Sequence, residues 1–345
     1  MFRLKELNIL CSRAELASLP DGKLLINTIN AHSFNTARKD RLFAEALTHG
    51  DALIPDGVSI VKACRWIKAK SQPKERIAGW DLFAFEMEHL EKLGIRNEEL
   101  GVRSEELGVR SEELGVRSEE LGIRNEELGI RNEEFGVRSD ELGVRNCELG
   151  VDGLQPFENC SIENCEEEEN NSKLNNSKSQ QEAATNSKLK TQNSKLCEPQ
   201  QRPTVMFMGS SQKVLNLIVK RAAEVYPHLK VVTYSPPYKP EFSDEDNKAI
   251  IDAINAANPD LLWIGMTAPK QEKWTYSHWS ELNIHCHVGT IGAVFDFFAG
   301  TVERAPLWWQ RHGLEWLYRL LKEPKRMWRR YIIGNALFLW NMTKE

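Results

Sequence analysis

Short apolar runs alternate with amphipathic stretches over both ends of the chain, and the pattern predicts strands alternating with helices. Leu24 to Asn30 reads as a strand, followed by one helix carrying Phe34, Ala37, Leu42, Phe43, Ala46 and Leu47 that stops at Gly50. Ala52 to Pro55 is a second, buried strand, and apolar periodicity from Val58 to Lys70 predicts the next helix. A turn, Glu75 to Phe83, enters a third. The rhythm resumes at Thr204 to Gly209, a strand, with Ser210-Ser211 placed to cap a helix running to about Tyr226. Lys230 to Tyr234 (strand), Asp244 to Ala257 (helix), Leu261 to Met266 (strand), a helix after Pro269 and a last strand, His285 to Gly289, complete the series. Strands separated by helices of this length imply right-handed crossovers and an α/β, Rossmann-like, doubly wound and mostly parallel sheet.

Between the two ends the pattern changes. From Leu93 a unit close to LGVRSEE recurs every seven residues, with glycines at 94, 101, 108, 115, 122, 129, 136, 143 and 150. Its apolar residues sit at i and i+2 rather than at a coiled-coil seam, and each glycine costs a helix about 1 kcal/mol. Beyond Val151 comes a stretch rich in Asn, Ser, Lys, Gln and Glu, too polar to order itself. Residues 94–202 therefore read as a long disordered or frayed-helical insertion, either a self-association or partner arm or a tolerated surface expansion; long loops add little closure entropy. The remainder, 1–93 and 203–345, is enough for one substantial domain.

Composition narrows the class only slightly. A net charge of −5 speaks against a nucleic-acid partner, and the seven cysteines show neither CxxC nor Cys/His ligand spacing, which predicts a reducing, cytosolic chain without structural zinc. The start lacks a secretory apolar core.

Open parallel sheets place their chemistry at the strands' carboxyl ends. That crevice should collect Thr28, Asn30, Asp56, Gly209, Ser210, Tyr238, Gln271 and Asp296. Asp56-Gly57 follows a strand, so Asp56 either caps the next helix or faces the crevice as a general base. Gly209-Ser210-Ser211 offers backbone N–H groups at a helix start, suited to a diphosphate. Thr267 to Glu272 repeats the design, with Lys270 and Gln271 able to reach phosphate oxygens or a uracil edge. No DxD-like acidic pair adjoins these turns, so neither a metal nor another cofactor is required. The basic tail residues Arg304, Arg311, Arg319, Lys322, Lys325, Arg326, Arg329 and Arg330 are interleaved with Trp308, Trp309, Trp316, Trp328, Tyr331 and Trp340. This describes either an interfacial helix pair seated on anionic lipid or aromatics packed on the sheet; the apolar run Tyr331 to Trp340 is too short to span a bilayer.

The blocks Asp56-Gly57, Thr267 to Glu272, Gly289 to Gly300, Arg304-Ala305-Pro306, Gly313 to Leu320 and Glu323 to Tyr331 together resemble the signature of the WecG/TagA/CpsF family of bacterial glycosyltransferases (glycosyltransferase family 26). The resemblance covers both ends of the chain in order and skips the insertion. Two departures stand out: Ile291-Gly292 replaces the usual pair of glycines, and Ser235 to Tyr238 replaces a GYF-like loop. The resemblance implies inverting transfer, without a metal, of N-acetylmannosamine or a related sugar from a UDP-sugar to an undecaprenyl-diphosphate-linked GlcNAc in cell-surface polysaccharide and cell wall biogenesis. It also implies a peripheral position on the inner face of the cell membrane. Asp56 matches the family's proposed catalytic aspartate, and inversion by direct displacement needs one such base. Thr28 and Asn30 would orient hydroxyls, unless the backbone satisfies them. Arg76, Lys270, Gln271, the Gly209-Ser210 amides and Arg326, Arg329 and Arg330 would stabilise the diphosphate charge. Arg76 could instead pair with Asp81, and Asp296 either hold donor hydroxyls or pair with Arg304. A non-catalytic membrane-associated scaffold is the alternative function, and a homo-oligomer is compatible with the repeats.

Overall fold

A computed structural model of the chain describes residues 2–103, 110 and 202–345, without the side chain of Arg326. The chain divides into two compact units, Met1–Arg96 with Arg202–Glu345, and Asn97–Gln201. In the second, residues 97–103 and 110 are helical; the other heptads, the polar stretch and Cys147, Cys160, Cys165 and Cys197 lie outside the described residues.

The first unit holds strands β1 (Leu24–Ile29), β2 (Ala52–Pro55), β3 (Thr204–Gly209), β4 (Lys230–Tyr234), β5 (Leu261–Gly265) and β6 (His287–Thr290). They form one sheet in the order β2-β1-β6-β5-β3-β4, and every pair is parallel. Alternation along the strands explains why helices cover both faces. Val205 and Phe207 of β3, with Leu261 and Trp263 of β5, join one buried cluster, whereas Met206, Met208, Leu262 and Ile264 join another. The first cluster is closed by a helix over 79–96 (α4) and by α5 (Gln212–Val225) and α8 (Val294–Ala299). The second is closed by α6 (Asp244–Ala257) and α7 (Lys270–Ser277). A third cluster joins Ile29 and Leu53 to α1 (Ala31–Ala37), α2 (Arg41–His49), α3 (Val58–Trp66) and the last helix.

Several boundaries differ from the pattern. The helix expected through Phe34 and Leu47 is two: the first ends at Ala37 with Arg38 as its C-cap, and Asp40 caps the second, its Oδ1 accepting from Phe43 N at 3.1 Å and its Oδ2 meeting Lys273 Nζ at 2.9 Å. The helix expected to Lys70 ends at Trp66, and the last strand begins at His287 rather than His285.

The tail forms α9 (Leu307–Arg311), α10 (Glu315–Lys322), α11 (Pro324–Trp328), a π-helical turn over Arg329–Ile333, and α12 (Gly334–Met342). The apolar side chains of the tail divide between docked and exposed positions. Phe338 is buried edge-on to Phe34, ring centres 5.5 Å apart, so α12 docks on α1. Leu307, Trp308, Trp328, Ile332, Ile333, Leu339 and Trp340 are exposed. Among the described residues, no helix is long and apolar enough to cross a membrane.

Candidate active site

The register of β1 and β2 brings the first site residues together. Ile29 pairs with Pro55, and Asp56 N–H donates to Ile29 O at 2.9 Å, so Asn30 and Asp56 leave the sheet side by side. Ile77 N–H donates to Pro55 O at 3.1 Å, which carries Arg76 across the same strand end. Asp56 does not cap α3: Gly57 is the N-cap residue and no side chain bonds there. The aspartate instead borders two cavities, one of about 1470 Å³ and one of about 620 Å³. Asn30, His32, Glu315, Arg319 and Arg330 border both as well.

Burial raises the pKa of Asp56 to about 6, a rise restrained by the charges of Arg76, Arg319 and Arg330 and assisted by Glu315. A carboxyl poised there is ionised at neutral pH, yet more basic than a surface aspartate. His32 has its pKa lowered by burial and by Arg330, and so stays neutral beside it.

The larger cavity lies outside the strand ends from β2 to β3. It includes the place where the chain leaves neighbouring strands β3 and β5 in opposite directions, the crevice typical of ligand sites in open α/β sheets. Thr28, Ser210, Tyr238, Lys270, Gln271, Asp296, Arg304 and Arg329 line it with the shared residues. Gly209 forms the turn beneath Ser210: its φ of +121° and the 2.4 Å that would separate an added Cβ from Gly265 O exclude a side chain. Ser210 also has positive φ, and Ser211 caps α5. Tyr238 is fully exposed on the rim.

Several predicted ligand groups are partly committed to the protein. Asn30 Oδ1 accepts from the N–H groups of His32 and Ser33, both at 3.0 Å, leaving only its amide NH₂ for a ligand. Gln271 is engaged at both ends, Oε1 accepting from Met266 N at 3.2 Å and Nε2 donating to Glu272 Oε1 at 2.9 Å, so it braces the turn after β5. Lys270 Nζ donates to Lys239 O at 2.5 Å and sits 3.4 Å over the Phe242 ring. Two pairs left open by the sequence are not formed. Arg76 pairs with Glu315 instead of Asp81, which accepts from Ala78 N and meets Arg13. Arg304 also meets Glu315, at 3.5 Å, and Asp296 accepts from Thr301 Oγ1.

The smaller cavity combines an apolar wall with a basic one. Val58 and Trp66 of α3 face Leu314, Trp316, Tyr331 and Leu339 of the tail across it, and Lys62, Arg76, Arg319 and Arg330 supply positive charge. Gly313 closes the join, with φ +68° and only 2.5 Å from a hypothetical Cβ to Val58 Cγ2. This cavity, Glu315, Glu272 and His32 were not foreseen, and Arg319 was foreseen only as a surface charge. The Glu-Trp pair after Gly313 was a usable signal, since an acid amid so many arginines invites a buried partner. Among the described residues, no group of three or more His, Cys, Asp or Glu side chains could hold a metal ion.

The model of the glycosyl transferase WecG/TagA/CpsF family matches residues 6–114 and 173–345. The chain belongs to this family. The match runs into both ends of the insertion, to residue 114 and from residue 173, where the sequence resemblance stops at 93 and resumes at 203; the internal stretch outside it is 115–172. Two relatives share the printed name N-acetylglucosaminyldiphosphoundecaprenol N-acetyl-beta-D-mannosaminyltransferase. That of Bacillus subtilis (strain 168) is 32% identical over 128 residues, 37% of this chain and 47% of the relative. That of Bacillus spizizenii is 32% identical over 133 residues, 39% and 49% respectively. The chain thus spans about half the length of the curated relatives it matches.

Proposed function

We propose that this chain transfers N-acetylmannosamine or a related sugar, with inversion, from a UDP-sugar to an undecaprenyl-diphosphate-linked GlcNAc. The observation that carries the reading is the position of Asp56 on the border of two cavities, the smaller of which sets the apolar side chains of Val58, Trp66, Leu314 and Leu339 beside Lys62, Arg76, Arg319 and Arg330. A displacement needs its base where donor and acceptor meet. The names of the two Bacillus relatives, which specify this sugar and this acceptor, support the choice of substrates.

In this mechanism the donor occupies the large cavity, its uridine toward the Ser210 turn and its diphosphate facing Arg329 and Arg330 beside the anomeric carbon. The acceptor's GlcNAc enters from the smaller cavity, whose apolar wall takes the first isoprene units and whose guanidiniums face its diphosphate. Asp56 removes the proton of the attacking hydroxyl. The oxygen forms its bond to the anomeric carbon on the face opposite UDP, the bond from that carbon to the β-phosphate oxygen breaks, and UDP leaves with the electron pair. Thr28 and the amide NH₂ of Asn30 orient sugar hydroxyls, and Asp296 faces the donor side. Fixed guanidiniums meet the leaving charge without reorganisation.

The exposed Trp308, Trp328, Ile332, Ile333, Leu339 and Trp340, on a tail rich in arginine, suit a lipid headgroup layer, and together with a lipid-linked acceptor they support a peripheral position on the inner membrane face. The reading is tested by the anomeric configuration of the product made from an α-linked UDP-sugar and a short-chain GlcNAc-diphospholipid. A β-linked disaccharide supports it. An α-linked product, or acceptor-independent hydrolysis alone, contradicts it.

A further inference from the structure

Glu272 is 1% exposed yet lines the large cavity from the first turn of α7. Its Oε1 accepts from Gln271 Nε2 at 2.9 Å, Gln271 Oε1 accepts from Met266 N at 3.2 Å, and Gln271 O accepts from Thr275 Oγ1 at 2.8 Å. This relay fixes the carboxyl and uses each of those groups. Glu272 Oε2 remains buried with no hydrogen-bond partner. A buried acceptor left empty in a ligand-free site is costly unless a ligand fills it. Burial also raises this carboxyl's pKa to about 7, opposed by the Gln271 hydrogen bond.

The sheet order indicates which part of a ligand would lie there. The base follows β2, and the ends of β1, β6 and β5 lie between it and the Ser210 turn after β3. The anomeric carbon is one oxygen from the β-phosphorus, so a donor poised at Asp56 holds its sugar and diphosphate near the ends of β2, β1 and β6, with its uridine toward β3. The first turn of α7 borders that region: Gln271 Oε1 lies 3.4 Å from where a Cβ on Gly292, after β6, would stand, and Lys273 Nζ meets Asp40 Oδ2 between α1 and α2 at 2.9 Å. We propose that Glu272 is a specificity-determining residue for the transferred sugar, its Oε2 accepting a hydrogen bond from a hydroxyl or amide N–H of that sugar. This rests on the transferase reading. It adds a polar contact that sorts donors differing in one hydroxyl or in the acetamido group, because a donor lacking the group leaves the oxygen buried and empty.

The test compares UDP, intact UDP-sugars and their single-deoxy analogues by calorimetry on the full chain, wild type against Glu272→Gln, alongside transfer assays. Glutamine keeps the bond from Gln271 and presents N–H where the empty oxygen was. UDP affinity should change by no more than about twofold, while affinity for the preferred UDP-sugar falls about 10- to 100-fold, the usual range for losing a hydrogen bond to a charged group. The analogue lacking the partner group should bind both proteins equally. Glu272→Asp, which withdraws the oxygen by one methylene, should show the same selective loss and serves if Glu272→Gln does not fold. A variant that binds UDP and UDP-sugar like wild type, or loses both in parallel, overturns the assignment in favour of a purely structural brace. Wild type that binds UDP-sugars selectively but transfers none contradicts the transferase reading and leaves this comparison intact; wild type that binds none overturns both.

Discussion

Arg76 and Glu315, 239 positions apart, form a two-pronged ion pair, with Nη1 to Oε2 at 2.9 Å and Nη2 to Oε1 at 3.2 Å. It ties the segment between α3 and α4 to the first turn of α10. Burial alone would raise the pKa of Glu315, but its hydrogen bond to Arg76 and the charges of Arg76, Arg304 and Arg319 lower it. The pair therefore stays ionised and joins the base to the tail.

Removing Arg76 leaves Glu315 with Arg304, at 3.5 Å. Arg76→Met should destabilise by about 2–3 kcal/mol, at or below the low end of the range for a buried pair, because both side chains keep some exposure and Arg304 still meets Glu315. Arg76→Met with Glu315→Met should recover much of that stability in urea unfolding without recovering transfer. Parallel recovery of both would show that the pair matters only for folding.

The join of tail to domain is also testable by packing. Phe338→Ala empties a buried ring site against Phe34 and should cost about 3 kcal/mol. Gly313→Ala adds a Cβ at positive φ against Val58 and should cost about 1–2 kcal/mol. Limited proteolysis should show earlier cleavage within 313–345 in both variants. An unchanged digestion pattern would contradict a docked tail.

The raised pKa of Asp56 predicts two pH effects of opposite sense. Turnover should fall about tenfold per unit below pH 6, as the base becomes protonated. Stability runs the other way: a carboxyl with a raised folded-state pKa stabilises the fold below its unfolded pKa and loses that contribution as pH rises through about 6. Asp56→Asn should therefore have an unfolding midpoint at pH 8 equal to or above that of wild type. A clear drop would mean the ionised carboxylate supports the fold.

Replacing 115–172, the stretch outside the family match, by a short linker should leave the thermal midpoint within about 3 °C, since loop length enters closure entropy only logarithmically. A large drop would give the insertion a structural part.

Local patterns made much of the fold legible. Short apolar runs located β2 at Ala52–Pro55 and β4 at Lys230–Tyr234, and the helix Asp244–Ala257 was read with its observed bounds. Asp40 was missed because its capping role competes with a continuous apolar stripe through Phe34, Phe43 and Leu47. Asp56 was placeable at a strand end, but whether it capped or faced a cavity depended on Ile29 and Arg76 meeting it in space. Glu315 and the smaller cavity arise from contacts across most of the chain, which periodicity does not carry. Glu272 hid in a turn read for its lysine and amide, although Gln271, Glu272, Trp274 and Thr275 form one buried side of α7.

The most direct test of the role of Asp56 is UDP release by wild type and Asp56→Asn, with a GlcNAc-diphospholipid acceptor and a panel of UDP-sugars, at pH 8. The account predicts acceptor-dependent release with one preferred donor, reduced about 10²-fold or more in the variant, while UDP affinity is unchanged. Equal release by the two proteins would contradict it.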